Sequence, residues 1–181
     1  MNLPNKLTVG RIIAVPFFIA AYLTQMYLVA FVLFIAASLT DMLDGKIARK
    51  YNLVTNFGKI MDPLADKILV YSAFCLMVGD GLVPSWMLIV ILAREFTIAG
   101  IRQVSAAEGI VIAAAMSGKI KTVLQMIAVP ALLLAQAIQD PYPVAYPIIA
   151  LIAEVFLYAS IAMTIYSGIE YIVKNKNVFK N

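Results

Sequence analysis

Apolar residues fall along this chain in long blocks, at roughly 7–25, 27–45, 62–79, 84–106, 117–138 and 143–172, with polar and charged residues gathered between them. A helix needs about 17–25 mostly apolar residues to cross a bilayer, so the pattern predicts six membrane-spanning helices. The third block is strictly apolar only from Ile68 to Val78, and its helix must begin among acids. Pro16 and Pro130 fall inside predicted spans; neighbouring helices in a membrane can re-satisfy the carbonyl that a proline frees. Gly79-Asp80-Gly81 with Pro84, and Asp140-Pro141-Tyr142-Pro143 with Pro147, mark two of the joints. The last block is longer than a bilayer requires, so it either tilts or continues into the cytoplasm from Ser167 to Lys174.

Composition agrees with the blocks. The 181 residues are 63% hydrophobic and 13% charged, with a mean hydropathy of +0.92. That places the chain among polytopic all-α membrane proteins, and the length suits one domain over 1–181. The net charge of +4 reads as loops facing anionic lipid, since no basic and aromatic surface pattern points to nucleic acid. Lys6 and Arg11 precede or begin span one; Lys46, Arg49, Lys50 and Lys59 lie between spans two and three, with Lys67 just beyond. Arg94, Arg102, Lys119 and Lys121 flank the fourth joint, and Lys174, Lys176 and Lys180 follow span six. Connections 79–84 and 139–143 carry no Lys or Arg. This alternation places both termini and the acidic stretch on the cytoplasmic side. The positive start of the chain lacks a small-residue cleavage site near Tyr22 to Gln25, so the first block reads as a retained span. Trp86 and several tyrosines near span ends suit interfacial belts.

Absences narrow the chemistry. With no histidine, imidazole bases and imidazole ligands are excluded. The single cysteine, Cys75, sits in an apolar block and is expected to be core filler. Proton transfer then falls first to carboxylates. Of the ten acids, Asp41, Asp44, Asp62 and Asp66 lie in one stretch, spaced i,i+3 and i,i+4, so each pair shares a helix face. The loop between them can bring both pairs together. Four carboxylates at the ends of apolar segments cannot all stay ionised without cations, and one or two hard divalent metals with oxygen ligands are the simplest compensation. Gly45 and Gly58 remove side chains where a ligand or a neighbouring helix must approach, Ala48 is small one turn after Asp44, and Arg49 supplies a phosphate-reading cation. Together these suggest a phosphoanhydride or phosphodiester ligand, with one carboxylate left to take a proton from a nucleophile. The plainer reading of a single aspartate is a solvated helix end, and Asp62-Pro63 resembles a helix start with Asp as N-cap.

The run Asp41-x2-Asp44-Gly45-x2-Ala48-Arg49-x8-Gly58-x3-Asp62-x3-Asp66 resembles the signature of the CDP-alcohol phosphatidyltransferases at every fixed position. That family has a six-helix membrane core of about this length, so the resemblance covers the whole chain. It implies displacement of CMP from a CDP-linked lipid by a hydroxyl, with Mg or Mn required. Carried over, Asp41, Asp44, Asp62 and Asp66 hold two metals, and Asp66 also acts as general base. Gly45 and Ala48 line the cytidine pocket, and Arg49 lies near it or the diphosphate. Gly58 belongs to the same CDP-binding stretch. A homodimer in the bacterial plasma membrane is a further implication.

Within the family the chain is most similar to bacterial members that join CDP-diacylglycerol to glycerol 3-phosphate, through Asn5-Lys6-Leu7-Thr8-Val9-Gly10-Arg11, Ala93-Arg94-Glu95-Phe96, Ile101-Arg102 and Gly118-Lys119-Ile120-Lys121-Thr122. The residues agree in kind. Arg94, Arg102, Lys119 and Lys121 are cations suited to a small dianionic acceptor phosphate, and Arg94 inside an apolar block is a site candidate by its cost alone. The plainer readings are an Arg94 ion pair with Glu95 or Glu108, and lipid-headgroup contact for Lys119 and Lys121. Asn5, Thr8 and Arg11 either cap the first helix or contact the nucleotide. Glu154 in the last block has no evident partner. Three other readings stay open: the same chemistry with inositol phosphate, serine, another polyol or a phospholipid as acceptor; a cation transporter, against which the acids cluster at one membrane face; and a prenyl-diphosphate enzyme, whose paired aspartates are spaced differently.

Overall fold

The computed structural model describes the backbone of residues 3–50, 55–113 and 115–176, and side chains over 5–40, 55, 57, 58, 61–113 and 115–176. It is all-α: α1 Leu3–Leu23, α2 Tyr27–Lys50, α3 Asn56–Gly79, α4 Ser85–Ala107, α5 Met116–Ile138 and α6 Tyr146–Lys174. The six apolar blocks thus become six helices. α1 packs on α2 and α3, α5 on α6 and α2, and α4 leans on α6. Phe18, Phe34, Phe74, Met77, Met87, Ile91, Leu133 and Leu157, drawn from all six helices, are fully buried together in one core. Ile98, Ile101 and Tyr171 form a smaller cluster beneath the polar end of α4 and α6.

Three helical segments are long and apolar enough to cross a membrane among the described residues: Asn5–Leu23, Met116–Ile138 and Tyr146–Lys174. The other helices fall short for local reasons. α2 is apolar from Tyr27 to Thr40 before it reaches the acidic stretch. α3 carries Asp62, Asp66 and Lys67 in its first half, and α4 holds Arg94, Glu95 and Arg102 within its length. At about 1.5 Å per residue, the 29 residues of α6 outreach a hydrocarbon core of about 30 Å. Large apolar side chains such as Ile148, Leu151, Val155 and Ile169 face outward along it. A water-facing helix would turn such residues inward, so this is a membrane protein.

Two sequence expectations change. α3 begins at Asn56, with Thr55 as its N-cap, so Asp62-Pro63 lies inside the helix and is not its start. The hydroxyl of Thr55 accepts from the Gly58 amide at 3.0 Å, which satisfies an amide that the first turn would otherwise leave unbonded. Asp62 is thereby released from capping. Cys75, expected in the core, is exposed on α3; the buried side of that turn is taken by Phe74 and Met77. Glu154 also faces outward.

Candidate active site at an acidic turn and a basic cleft

The start of α1 carries a polar stripe, Asn5, Thr8 and Arg11, at i, i+3 and i+6 on one helical face. All three are buried, with Thr8 fully so. The stripe packs against the first turns of α3. Thr8 Oγ1 donates to Asp62 Oδ1 at 2.5 Å, a short bond of the charge-assisted kind. Thr55 Oγ1 donates to Asn5 Oδ1 at 2.9 Å. Gly58 faces this oxygen cluster: a Cβ there would lie 3.3 Å from Asp62 Oδ2, 3.4 Å from Thr55 Oγ1 and 3.5 Å from Asn5 Oδ1. The glycine therefore keeps open a small cradle walled by oxygen atoms.

Asp62 and Asp66 lie one turn apart on α3, both half-buried. Asp41, Asp44, Gly45, Ala48 and Arg49 belong to the last turns of α2, where the side chains lie outside the described residues. Among the described residues no three His, Cys, Asp or Glu side chains come together; Asp62 and Asp66 are the described half of the aspartate set. That half supplies only oxygen donors, one of them oriented by a hydroxyl, and this suits a hard divalent cation.

On the next face of α3 lies a cleft of about 490 Å³, lined by Pro63, Lys67, Arg94, Glu95, Arg102 and Lys119 among others. Each α3 aspartate is followed by a residue of this lining, Asp62 by Pro63 and Asp66 by Lys67. The acidic ridge and the near edge of the basic cleft are thus adjacent on α3. Glu95 is the anion at the centre. Its Oε1 accepts from Arg94 Nη1 at 2.7 Å and from Lys121 Nζ at 2.6 Å, and Lys67 Nζ lies 3.5 Å from Oε2. Three helices, α3, α4 and α5, meet on this one carboxylate.

Arg94 is threaded rather than merely paired. Its Nε donates to Ser167 Oγ at 3.2 Å. A Cβ at Gly168 would lie 3.1 Å from its Cγ, and one at Gly118 would lie 2.9 Å from Nη2. Two glycines on α6 and α5 therefore form the slot through which the guanidinium reaches the cleft. Arg102 is fixed by Tyr171, whose hydroxyl accepts from Nε at 3.1 Å and whose ring lies 5.5 Å beneath the guanidinium carbon. Ser117 and Lys174 both donate to Glu170 at the same end, the lysine at 2.5 Å, tying α5 to α6.

The four expected acceptor cations are therefore not equivalent. Arg94, Arg102 and Lys119 line the cleft. Lys121 is buried behind it, engaged with Glu95. Of the two ion-pair partners expected for Arg94, Glu95 is taken and Glu108 is exposed. Sequence reasoning missed Glu95 as a shared anion, Lys67 as a cleft residue and Tyr171 as a support. A lone acid inside the fourth apolar block, with cations in the blocks on either side, was the available signal for the first.

A family model described as CDP-alcohol phosphatidyltransferase matches residues 1–166. The chain is 45% identical over 195 aligned residues to the CDP-diacylglycerol–glycerol-3-phosphate 3-phosphatidyltransferase of Bacillus subtilis strain 168, covering 99% of this chain and 97% of that protein. It is 38% identical to the protein of the same name in Rickettsia bellii, over 98% of this chain and 97% of that one, and 36% identical to its Rickettsia felis counterpart with the same coverage. With the acidic turn and the match along nearly the whole chain, the conclusion follows that this protein belongs to the CDP-alcohol phosphatidyltransferase family.

Proposed function

We propose that this protein transfers the phosphatidyl group of CDP-diacylglycerol to glycerol 3-phosphate, giving phosphatidylglycerol phosphate and CMP. The observation that carries the reading is the adjacency on α3 of the acidic ridge Asp62/Asp66 and the cation-walled cleft that opens at Pro63 and Lys67. The relatives named above over nearly full length carry that activity in their names.

Asp66 takes the proton from the acceptor hydroxyl. The oxygen then attacks the lipid-side phosphorus of the diphosphate, the bond from that phosphorus to the CMP oxygen breaks, and the lipid product stays in the membrane. Arg94, Arg102 and Lys119 hold the acceptor phosphate, while Lys121 holds Glu95 and through it Arg94. Thr8 fixes the rotamer of Asp62, and Asn5, Arg11, Gly45, Ala48, Arg49 and Gly58 bind the CDP moiety. Asp41, Asp44, Asp62 and Asp66 are the residues that would hold two divalent ions, Mg or Mn, whose chemistry when bound is to neutralise the diphosphate and the departing phosphate. The architecture we assign is one domain over 1–181 with six spans, both termini and the site facing the cytoplasm of a bacterial plasma membrane, and a homodimer as the working assembly. The alternation of cationic and cation-free connections supports that orientation.

The test is CMP release by purified protein in detergent with CDP-diacylglycerol and Mg, offering acceptors one at a time. Release dependent on glycerol 3-phosphate is expected. Release only with a different acceptor would overturn the acceptor assignment, and no release with any acceptor from folded, metal-supplied protein would overturn the reaction.

A further inference from the structure

Of the three cations on Glu95, Lys67 is held least. Its ammonium is 3.5 Å from Oε2, against 2.7 Å for Arg94 and 2.6 Å for Lys121, and its side chain is 43% exposed, against 14% and 5%. With its ammonium solvated and 3.5 Å from a carboxylate that keeps two closer cations, Lys67 can leave Glu95 at small cost. Arg94 and Lys121 cannot leave as readily, because departure would strand buried charge. Lys67 also lines the cleft and directly follows Asp66, with adjacent Cα atoms about 3.8 Å apart. Neither the aspartate signature nor the expected set of acceptor cations includes it.

We propose that Lys67 binds the acceptor phosphate directly and gauges its distance from the attacking hydroxyl, with Glu95 as a positioning residue that holds Lys67 ready until the acceptor arrives. This rests on the phosphatidyl transfer proposed above. The ammonium exchanges one carboxylate oxygen for a phosphate oxygen, which needs no net change in charge at the lysine. A phosphate held on the residue next to Asp66 leaves room for a short carbon chain between it and the hydroxyl that Asp66 deprotonates. An acceptor with one more carbon between the two groups cannot satisfy both residues at once. The cleft's other cations approach from α4 and α5 and carry no such register with Asp66.

The experiment is steady-state kinetics of CMP release by wild type, Lys67→Met and Lys67→Arg in detergent, with glycerol 3-phosphate and with the pair 3-hydroxypropyl phosphate and 4-hydroxybutyl phosphate, whose single hydroxyls differ by one carbon in their distance from the phosphate. Lys67→Met is expected to raise KM for glycerol 3-phosphate about tenfold, to leave KM for CDP-diacylglycerol unchanged, and to flatten the wild-type preference for the shorter acceptor. Lys67→Arg restores most of the affinity and less of the preference. An unchanged acceptor KM and preference in Lys67→Met, or a rise in KM for CDP-diacylglycerol instead, would overturn the assignment. Failure of wild type itself to use glycerol 3-phosphate would overturn the underlying function and is read before any variant.

Discussion

Two neighbouring regions that share α3 are assembled by different means. The acidic strip joins two helices: Thr55, Gly58 and Asp62 lie within two turns of α3, and Asn5 and Thr8 reach them from α1, 50 and 54 residues away in the chain. The basic strip is a convergence of four helices. Lys67 from α3, Arg94 from α4 and Lys121 from α5 meet on Glu95, and α6 supplies Ser167 and Tyr171 as supports. In the proposed function the acidic strip would handle an ion and a proton, tasks that need fixed oxygen atoms. In the same proposal the basic strip would take a soluble anion, and Glu95 offsets the repulsion among cations gathered there before the ligand arrives. The lesson is that the acidic strip keeps Asp62 and Asp66 one turn apart on a single helix, whereas the basic strip draws its charges from three helices and its supports from a fourth.

If the strips are functionally separate, substitutions in each should move different constants. The largest effect is expected for Asp66→Asn, which keeps shape and removes the base: CMP release should fall by about a thousandfold or more, within the span general-base catalysis supplies, with protein yield and thermal unfolding in detergent unchanged. Residual turnover near wild type would remove Asp66 from the role of base. Thr8→Val deletes the hydroxyl on Asp62; loss of such an outer partner weakens metal sites by roughly 10–100-fold. A Mg titration of activity should show that shift with KM for glycerol 3-phosphate unmoved. Gly118→Ala should act on the other strip. Alanine favours a helix over glycine by about 1 kcal/mol, so stability should hold or rise. Its Cβ, 2.9 Å from Arg94 Nη2, should still push the guanidinium and raise the acceptor KM about fivefold, an estimate for partial loss of one charge-assisted bond. A change in Mg dependence here would break the separation. The smallest effect belongs to Thr55→Ala, which removes the α3 cap at a cost of about 1 kcal/mol. It should appear in thermal unfolding with KM for glycerol 3-phosphate near wild type.

The acidic strip was legible because its information is periodic and close in sequence. Asp62 and Asp66 at i,i+4 share a face wherever the helix goes, and Gly58 one turn earlier had to be small for an approach that the oxygen cradle now explains. Its cap was misread for a physical reason: Asp-Pro suits a helix start locally, yet Thr55 offers a hydroxyl three residues before the Gly58 amide and the helix begins there. Cys75 was misplaced because hydropathy shows that a segment is apolar without showing which side of it meets lipid; in a membrane both sides are apolar, and the 3.6-residue period loses its contrast. The pairing of Glu95 with Arg94 was legible from their adjacency, and its other two partners, Lys67 and Lys121, were not, since they stand 28 and 26 residues away on other helices.

The amino-acid order alone determined six helices, the alternating charge of their connections and the shared face of Asp62 and Asp66, because each depends on spacing within one segment or on the sign of a loop. Tertiary structure alone decided that the basic cleft opens on α3 next to the aspartates, that Lys121 turns away from it into an ion pair, that two glycines admit Arg94, and that Lys67 is the loosely held cation. Those outcomes depend on which helix faces meet, and contact between distant segments is set by packing, which local periodicity does not encode.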